Sequence, residues 1–406
     1  MSKVYKPQNN LSWILFIVVL AQFCGTSLWF AGNGVMNDLL STFHLEKSAL
    51  GHLTSAVQFG FISGSFLFAL LTIADRFSPS RVFFMSALSG AIFNLGTIWS
   101  GNTLFSLIIF RFLVGFSLAG IYPVGMKIIA DYYKEGLGKS LSFLVGAVVL
   151  GTAFPHLLKD FTGSSGFPWR SVLFFTSSLA FVGGLLILFF VPDGPYRKQS
   201  NKLDLSALFT VFRNRNFRAA AFGYFGHMWE LYSFWAFLPV ILGTYSSIYP
   251  QADLNISTLS FLVIGSGGLA CFAGGFASQK IGVKKTASLA IFFSGLCCLV
   301  SPAIFFIGSP IILIGFLVFW GWVVVADSPL FSTLVAGNVE AETKGTALTI
   351  VNSIGFAITI VSIQLINFMQ DIFDPKYIYL VLAIGPIFGL ISLNTNNNIP
   401  ANENAA

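Results

Sequence analysis

DRFSPSR at residues 75–81 and QKIGVKK at 279–285 are short polar turns, each wedged between two long apolar runs. They align at a constant offset of 204, which sets Asp75 on Gln279, Arg76 on Lys280 and Arg81 on Lys285. EGLGKSL at 135–141 repeats as ETKGTAL at 342–348, at an offset of 207. Two separated segments that repeat at nearly one spacing mark a duplication whose halves share a topology.

The runs between these turns are lipid-soluble. Of 406 residues, 55% are hydrophobic and 9% are charged, with a mean hydropathy of +0.80. Soluble domains carry about 25% charged residues, so this chain expects lipid as its solvent. A spanning helix needs about 20 mostly apolar residues. Polar interruptions leave twelve candidate spans, at 12–36, 48–73, 81–99, 103–130, 140–161, 170–191, 217–246, 258–279, 286–307, 310–334, 345–369 and 378–394. The fold expected is an all-α membrane protein of twelve transmembrane helices in two pseudo-symmetric six-helix bundles. Residues 1–191 form the first bundle, 192–216 a central cytoplasmic loop, 217–394 the second bundle and 395–406 a polar tail expected to be disordered. Within the loop, LDLSALFTVF reads as a short amphipathic helix on the inner leaflet. A porin-type barrel is excluded, because its strands would alternate over about ten residues. Many of the 39 glycines fall in these runs, where they let helix backbones approach closely.

Twelve spans put both termini on one side, and Lys/Arg placement says which. Sixteen basic residues lie in the N-terminal tail and the even-numbered loops, against Lys47, Lys159, Arg170 and Lys376 opposite. Both termini are therefore expected in the cytoplasm, with the chain in a bacterial inner membrane. The net charge of +6 follows from this topology and needs no nucleic-acid partner. The N-terminal apolar run is too long for a cleavable signal and lacks a small-residue cleavage site. Cys24, Cys271, Cys297 and Cys298 all fall in spans without metal-ligand spacing and read as buried small hydrophobes. No metal or cofactor is expected.

Two six-helix halves, a basic central loop and an acidic-basic turn after span 2 resemble the major facilitator superfamily along essentially the whole chain. That family's loop motif has Gly, three residues, Asp, Arg, then Gly and paired basics. Asp75, Arg76 and Arg81 match it, while Leu71 stands in place of the Gly. In the second copy Gly275, Lys280, Gly282, Lys284 and Lys285 match, and Gln279 replaces the Asp. RFLVGFSLAG in span 4 is similar to the family's Arg-xxx-Gly motif through Arg111 and Gly115. YFGHMWELYSFWAF at 224–237, ADSPLFSTLVA at 326–336 and NSIGFAITIVSIQL at 352–365 resemble a branch often labelled nitrate/nitrite- or cyanate-type permeases. The resemblance implies alternating access. It also implies that Asp75, with Arg76, Arg81, Gln279 and Lys280 around it, gates by docking across the halves in the outward-open state.

Most acidic residues sit at loops or span ends, but Glu230 and Asp327 do not. A carboxylate at mid-membrane costs about 2.5–3.5 kcal/mol on insertion scales, and such a group can bind and release a proton as a cavity opens to each side. His227 precedes Glu230 by three residues, on one helix face. These three are the proton-coupling candidates; the plainer reading of each is a hydrogen-bonded structural group. Arg111, in the outer half of span 4, must be paired or face water. Its fork suits a carboxylate or phosphate, and a static ion pair is the alternative. Lys127 can snorkel to water. Gln22, Thr26, Trp29 and Asn33 form one face of span 1, fit either for a hydrated cavity or for interhelical hydrogen bonds. Tyr122, Trp229 and Asn352 complete the substrate-binding candidates. Trp229 and Trp235 flank Glu230 and either stack a flat solute or fill space.

Absent motifs narrow the function. No Walker-type loop is present, so ATP does not drive the cycle. No nucleophile–base pair, HExxH or Cys/His cluster appears, so an enzyme is not expected. Nitrate porters share an Arg in span 2 and another in span 8, and neither span has one here. The expected function is secondary transport by a monomer, coupled to protons, of a small solute, with a single Arg and an aromatic cavity favouring an organic anion or zwitterion. A proton-antiport exporter of amphipathic compounds and a non-transporting membrane sensor remain the alternatives.

Overall fold

The protein is described here from a computed structural model covering residues 8–133, 137–197, 211–340 and 344–394. The tail after 394 and most of the LDLSALFTVF segment lie outside these residues. The helices are α1 Gln8–Thr26, α2 Ala49–Leu70, α3 Pro79–Gly96, α4 Leu104–Tyr132, α5 Leu137–Ser164 and α6 Arg170–Phe190. The second half supplies α7 Arg215–Ile248, α8 Ile256–Ile281, α9 Val283–Phe306, α10 Pro310–Gly337, α11 Lys344–Met369 and α12 Ile378–Asn394. No strand occurs among the described residues. Nine of these helices are long and apolar enough to cross a membrane, and α1 and α12 are shorter apolar helices. Phe105, Phe189 and Ile311 are among many large apolar side chains exposed on the outside, as a lipid-facing surface requires.

Helix starts follow local chemistry. Thr103 and Ser106 cap α4 reciprocally, Asn214 caps α7, and the Asn255 side chain accepts from Thr258 N–H at the head of α8. The two polar turns reach the same reversal differently. Gly282 takes φ 89 between α8 and α9, whereas Thr72 holds φ 49 before a short helix at Ile73–Arg76. A left-handed threonine carries strain that glycine does not.

Three expected spans are broken, not continuous. The run at 12–36 leaves helix after Thr26 and resumes as Ala31–Gly34 and Met36–Thr42. Here Thr26 and Ser27 hydroxyls bond the carbonyls of Gln22 and Cys24, competing with the helical ladder. α4 is interrupted between Leu118 and Tyr122, and α10 at Asp327. Pro123 and Pro329 each stand in the first turn after the break, where they remove a backbone donor. These prolines are 206 apart, so the duplication extends to the breaks.

Packing repeats as well. In the first half α2 packs on α4, α3 on α6, and α1 on α5 and α6; in the second, α8 packs on α10, α9 on α12, and α7 on α11 and α12. The α2–α4 contact is backbone-close: a Cβ on Gly60 would lie 2.0 Å from the Phe112 carbonyl oxygen, the kind of approach small residues permit in lipid. The halves meet along two seams, α2 with α11 and α5 with α8.

Candidate functional site

Between the halves lies a cavity of about 2900 Å³. It opens at the end that carries both polar turns, where Asp75, Lys127, Gln279, Lys280, Lys284 and Lys285 line it. The other end is tied shut across both seams. Gln364 Nε2 donates to Ser55 Oγ at 2.8 Å and Asn367 Nδ2 to the Ser48 carbonyl at 3.0 Å, joining α11 to α2. Asn255 Nδ2 donates to Asp160 Oδ1 at 2.6 Å, joining the start of α8 to the end of α5. The buried end of the cavity is walled by Phe61, Tyr122, Tyr232, Trp235 and Phe356, with His227, Ser328 and Asn352 along one side.

His227 and Asp327 come together. His227 Nδ1 lies 2.9 Å from Asp327 Oδ1, and its Nε2 lies 2.9 Å from Ser328 Oγ. Asp327 occupies the break in α10, so its carboxylate leaves the helix where the ladder is already interrupted. Both side chains are almost fully buried, yet His227 and Ser328 contribute to the cavity wall. The contact is at ion-pair distance but off the angle for a hydrogen bond; it becomes an ion pair when the imidazole carries a proton.

Glu230 goes elsewhere. Three residues along a helix rotate the side chain by about 60°, enough to separate it from His227. Its carboxylate is fully buried inside the second bundle, accepting from Trp320 Nε1 at 2.6 Å, Ser294 Oγ at 2.9 Å and Cys298 Sγ at 3.3 Å. It does not line the cavity. Cys298, read from sequence as a passive small hydrophobe, is thus a weak donor to a buried acid. Ser294 and Cys298 are four residues apart on one face of an apolar helix, a signal that sequence reasoning passed over.

Arg111 is also sealed away. It is buried at 1% exposure and donates to the Leu28 and Trp29 carbonyls, just past the end of α1. It neither lines the cavity nor meets a carboxylate in an ion pair among the described residues. The polar stripe of α1 is spent on packing. Asn33 Nδ2 donates to Thr54 Oγ1 at 2.8 Å, Thr26 bonds back to Gln22, and the buried Gln22 amide has no hydrogen-bond partner. Trp29 lies behind the aromatic wall, stacked on Tyr232 and Phe356 at 5.7 and 5.8 Å. Trp229 turns outward and donates to the Val381 carbonyl at 3.0 Å, leaving Trp235 as the tryptophan on the cavity. Tyr122 and Asn352 do line it.

At the mouth, Asp75 is engaged within its own half. Lys127 Nζ lies 2.7 Å from its carboxylate and 3.6 Å from Asp131. The first contact is at ion-pair distance but off the angle for a hydrogen bond. Arg197, which sequence reasoning did not single out, donates to the Asp75 and Phe77 carbonyls at 2.8 Å and pairs with Asp193. Arg76 and Arg81 are exposed, as are Gln279 and Lys280 on the opposite lip.

This architecture agrees with the comparison to known proteins. A sequence model of the Major Facilitator Superfamily matches residues 15–363. The chain belongs to that superfamily. Among its relatives, it is 28% identical over 191 residues to the 4-hydroxybenzoate transporter PcaK of Acinetobacter baylyi, covering 46% of this chain and 40% of that protein. It is 27% identical over 215 residues to GudP of Escherichia coli, named for galactarate/D-glucarate transport, covering 50% of this chain and 46% of that one. The matches thus span less than half the length of these curated relatives. Solved superfamily structures share the fold end to end. A mutant of the nucleoside transporter NupG superposes with a TM-score of 0.72 at 17% identity, covering 94% of this chain and 98% of the other. An inward-facing bacterial homolog of the human lysosomal transporter Spinster superposes at 0.68 and 15% identity, covering 95% and 96%.

Proposed function

We propose that this superfamily member is a proton-coupled secondary transporter that carries a small organic solute by alternating access. It acts as a single chain, because both walls of the cavity come from one copy. Its mouth and both termini face the cytoplasm of a bacterial inner membrane, on the strength of the Lys/Arg asymmetry. The conformation described is therefore open to the inside. The relatives' names support a small organic solute, and superfamily membership supports alternating access. The observation that carries proton coupling is the His227–Asp327 contact at 2.9 Å, set in the cavity wall at the break of α10. A titratable pair there can exchange a proton with whichever side the cavity faces, and its charge state can bias which conformation is favoured.

The test uses purified full-length protein in liposomes with a pH-sensitive dye inside, screened against organic acids and neutral aromatic compounds. A transported solute is expected to move protons with it. Asp327→Asn should abolish that proton movement while leaving solute counterflow measurable. Proton movement undiminished in Asp327→Asn, or wild-type solute transport without any, sinks the proposal.

A further inference from the structure

We infer that the buried end of the cavity takes the ring of a planar aromatic solute, and that the solute brings no fixed negative charge to that end. This rests on the transport reading above and names the solute class for it.

Five rings from α2, α4, α7 and α11 form the wall, so both halves contribute. Phe61 and Phe356 lie 4.6 Å apart at 57°, Tyr232 and Phe356 5.3 Å apart at 45°, and Tyr232 and Trp235 5.3 Å apart at 73°. These four are buried against one another, so each presents only part of its ring to the cavity, a surface that a flat ring meets by edge contact and offset stacking. Trp29, stacked behind Tyr232 and Phe356, fixes two of these rings from the rear. A polyol or sugar acid needs a hydrogen-bond partner for each buried hydroxyl. This wall offers few beside its five rings: the Tyr122 and Tyr232 hydroxyls, the unpartnered Trp235 Nε1, Asn352, and Ser328, whose hydroxyl already meets His227.

Charge points the same way. Lys127, Lys280, Lys284 and Lys285 line the cavity near the polar turns, and Lys127 is already paired with Asp75 and Asp131. Arg111, the cation that sequence position offers to an anionic solute, is buried on the Leu28 and Trp29 carbonyls and does not line the cavity. His227 is the remaining basic group near the rings, and it already faces Asp327. A carboxylate brought to the aromatic end would lose water without gaining a free cation. On this inference the aromatic end takes an uncharged ring, in place of the anion or zwitterion that the sequence favours, and the probes below decide between them.

Three probes separate these terms: benzamide, benzoate with the same ring and a charge, and cyclohexanecarboxamide with the same polar group and no π face. Binding is read by tryptophan fluorescence and thermal unfolding of the full chain in lipid nanodiscs, with no pH gradient. Benzamide is expected to bind about tenfold more tightly than cyclohexanecarboxamide, and benzoate no more tightly than benzamide. Phe356→Leu keeps an apolar side chain and is expected to reduce benzamide binding while leaving cyclohexanecarboxamide unchanged. Equal binding of the two amides, tighter binding of benzoate, or no binding of any probe overturns the inference. Because no gradient is applied, these results stand apart from the proton-flux test. Failure of one leaves the other readable.

Discussion

α4 and α10 hold equivalent places in the two halves, and each breaks one turn before a proline, yet their polar groups do opposite things. α4 sends Arg111 away from the cavity, onto the carbonyls of broken α1. α10 turns Trp320 inward onto Glu230 and uses its break to present Asp327 to His227 at the cavity wall. The first half thus seals a cation and the second seals an anion, and the second also sets the His227–Asp327 contact in the cavity wall among the rings. Duplication supplied one scaffold with two weak points, and the side chains at those points differ: Arg111 is held on backbone carbonyls, while Asp327 faces His227, the contact proposed to couple protons.

That division can be broken by experiment. The largest effect is expected from Arg111→Ala, which removes the guanidinium from the Leu28 and Trp29 carbonyls and leaves a cavity against Gly32. An unpaired buried carbonyl costs about 1–3 kcal/mol and a large-to-small cavity about 2–5 kcal/mol, so thermal unfolding should shift down sharply. An unchanged midpoint would return Arg111 to the solute. Glu230→Gln comes next, at about 1–3 kcal/mol, because the amide keeps an acceptor for Trp320 but its two donor hydrogens find only Ser294 Oγ, which can accept one by turning its own proton to the Ile291 carbonyl. Solute-driven proton movement should survive it. Loss of coupling with normal stability would move the proton path from the cavity wall into the second bundle.

Gly51→Ala sharpens the comparison between the ends of the cavity. Its Cβ would stand 2.4 Å from the Asn367 side chain at the tied end. Overpacking of about 1–3 kcal/mol is expected to favour opening there, raising the reactivity of a cysteine placed at Ser55. No gain in labelling counts against the seam as a closure. The smallest effect belongs to Asp75→Asn. Its pair with Lys127 is partly exposed, at 15% and 21%, and such contacts contribute about 0–1 kcal/mol. A modest change in the inward population is expected by the same labelling. A large one would mean that Asp75 reaches across the halves in the other state, as family resemblance implies.

Depth was legible in the sequence, because position along an apolar run measures distance into the bilayer. Glu230, Asp327 and Arg111 were therefore recognised as buried, and all three are. Direction was less legible. His227 and Glu230 share a face by spacing and both reach α10, but Glu230 also accepts from α9 and stays inside the bundle while His227 reaches the cavity wall. The stripe at Gln22, Thr26 and Asn33 faces neighbours, not the cavity. Hydrogen bonds between helices far apart in sequence, such as Trp320 to Glu230, leave no local pattern to read.

The sequence alone determined the solvent, the number of spans, the duplication and the depth of each charge, since these depend on composition and periodicity along one chain. Only the tertiary structure decided which charges reach the cavity. That depends on which helices meet and how each is rotated about its axis. In lipid, polar satisfaction between neighbouring helices, rather than exclusion from water, chooses the rotation.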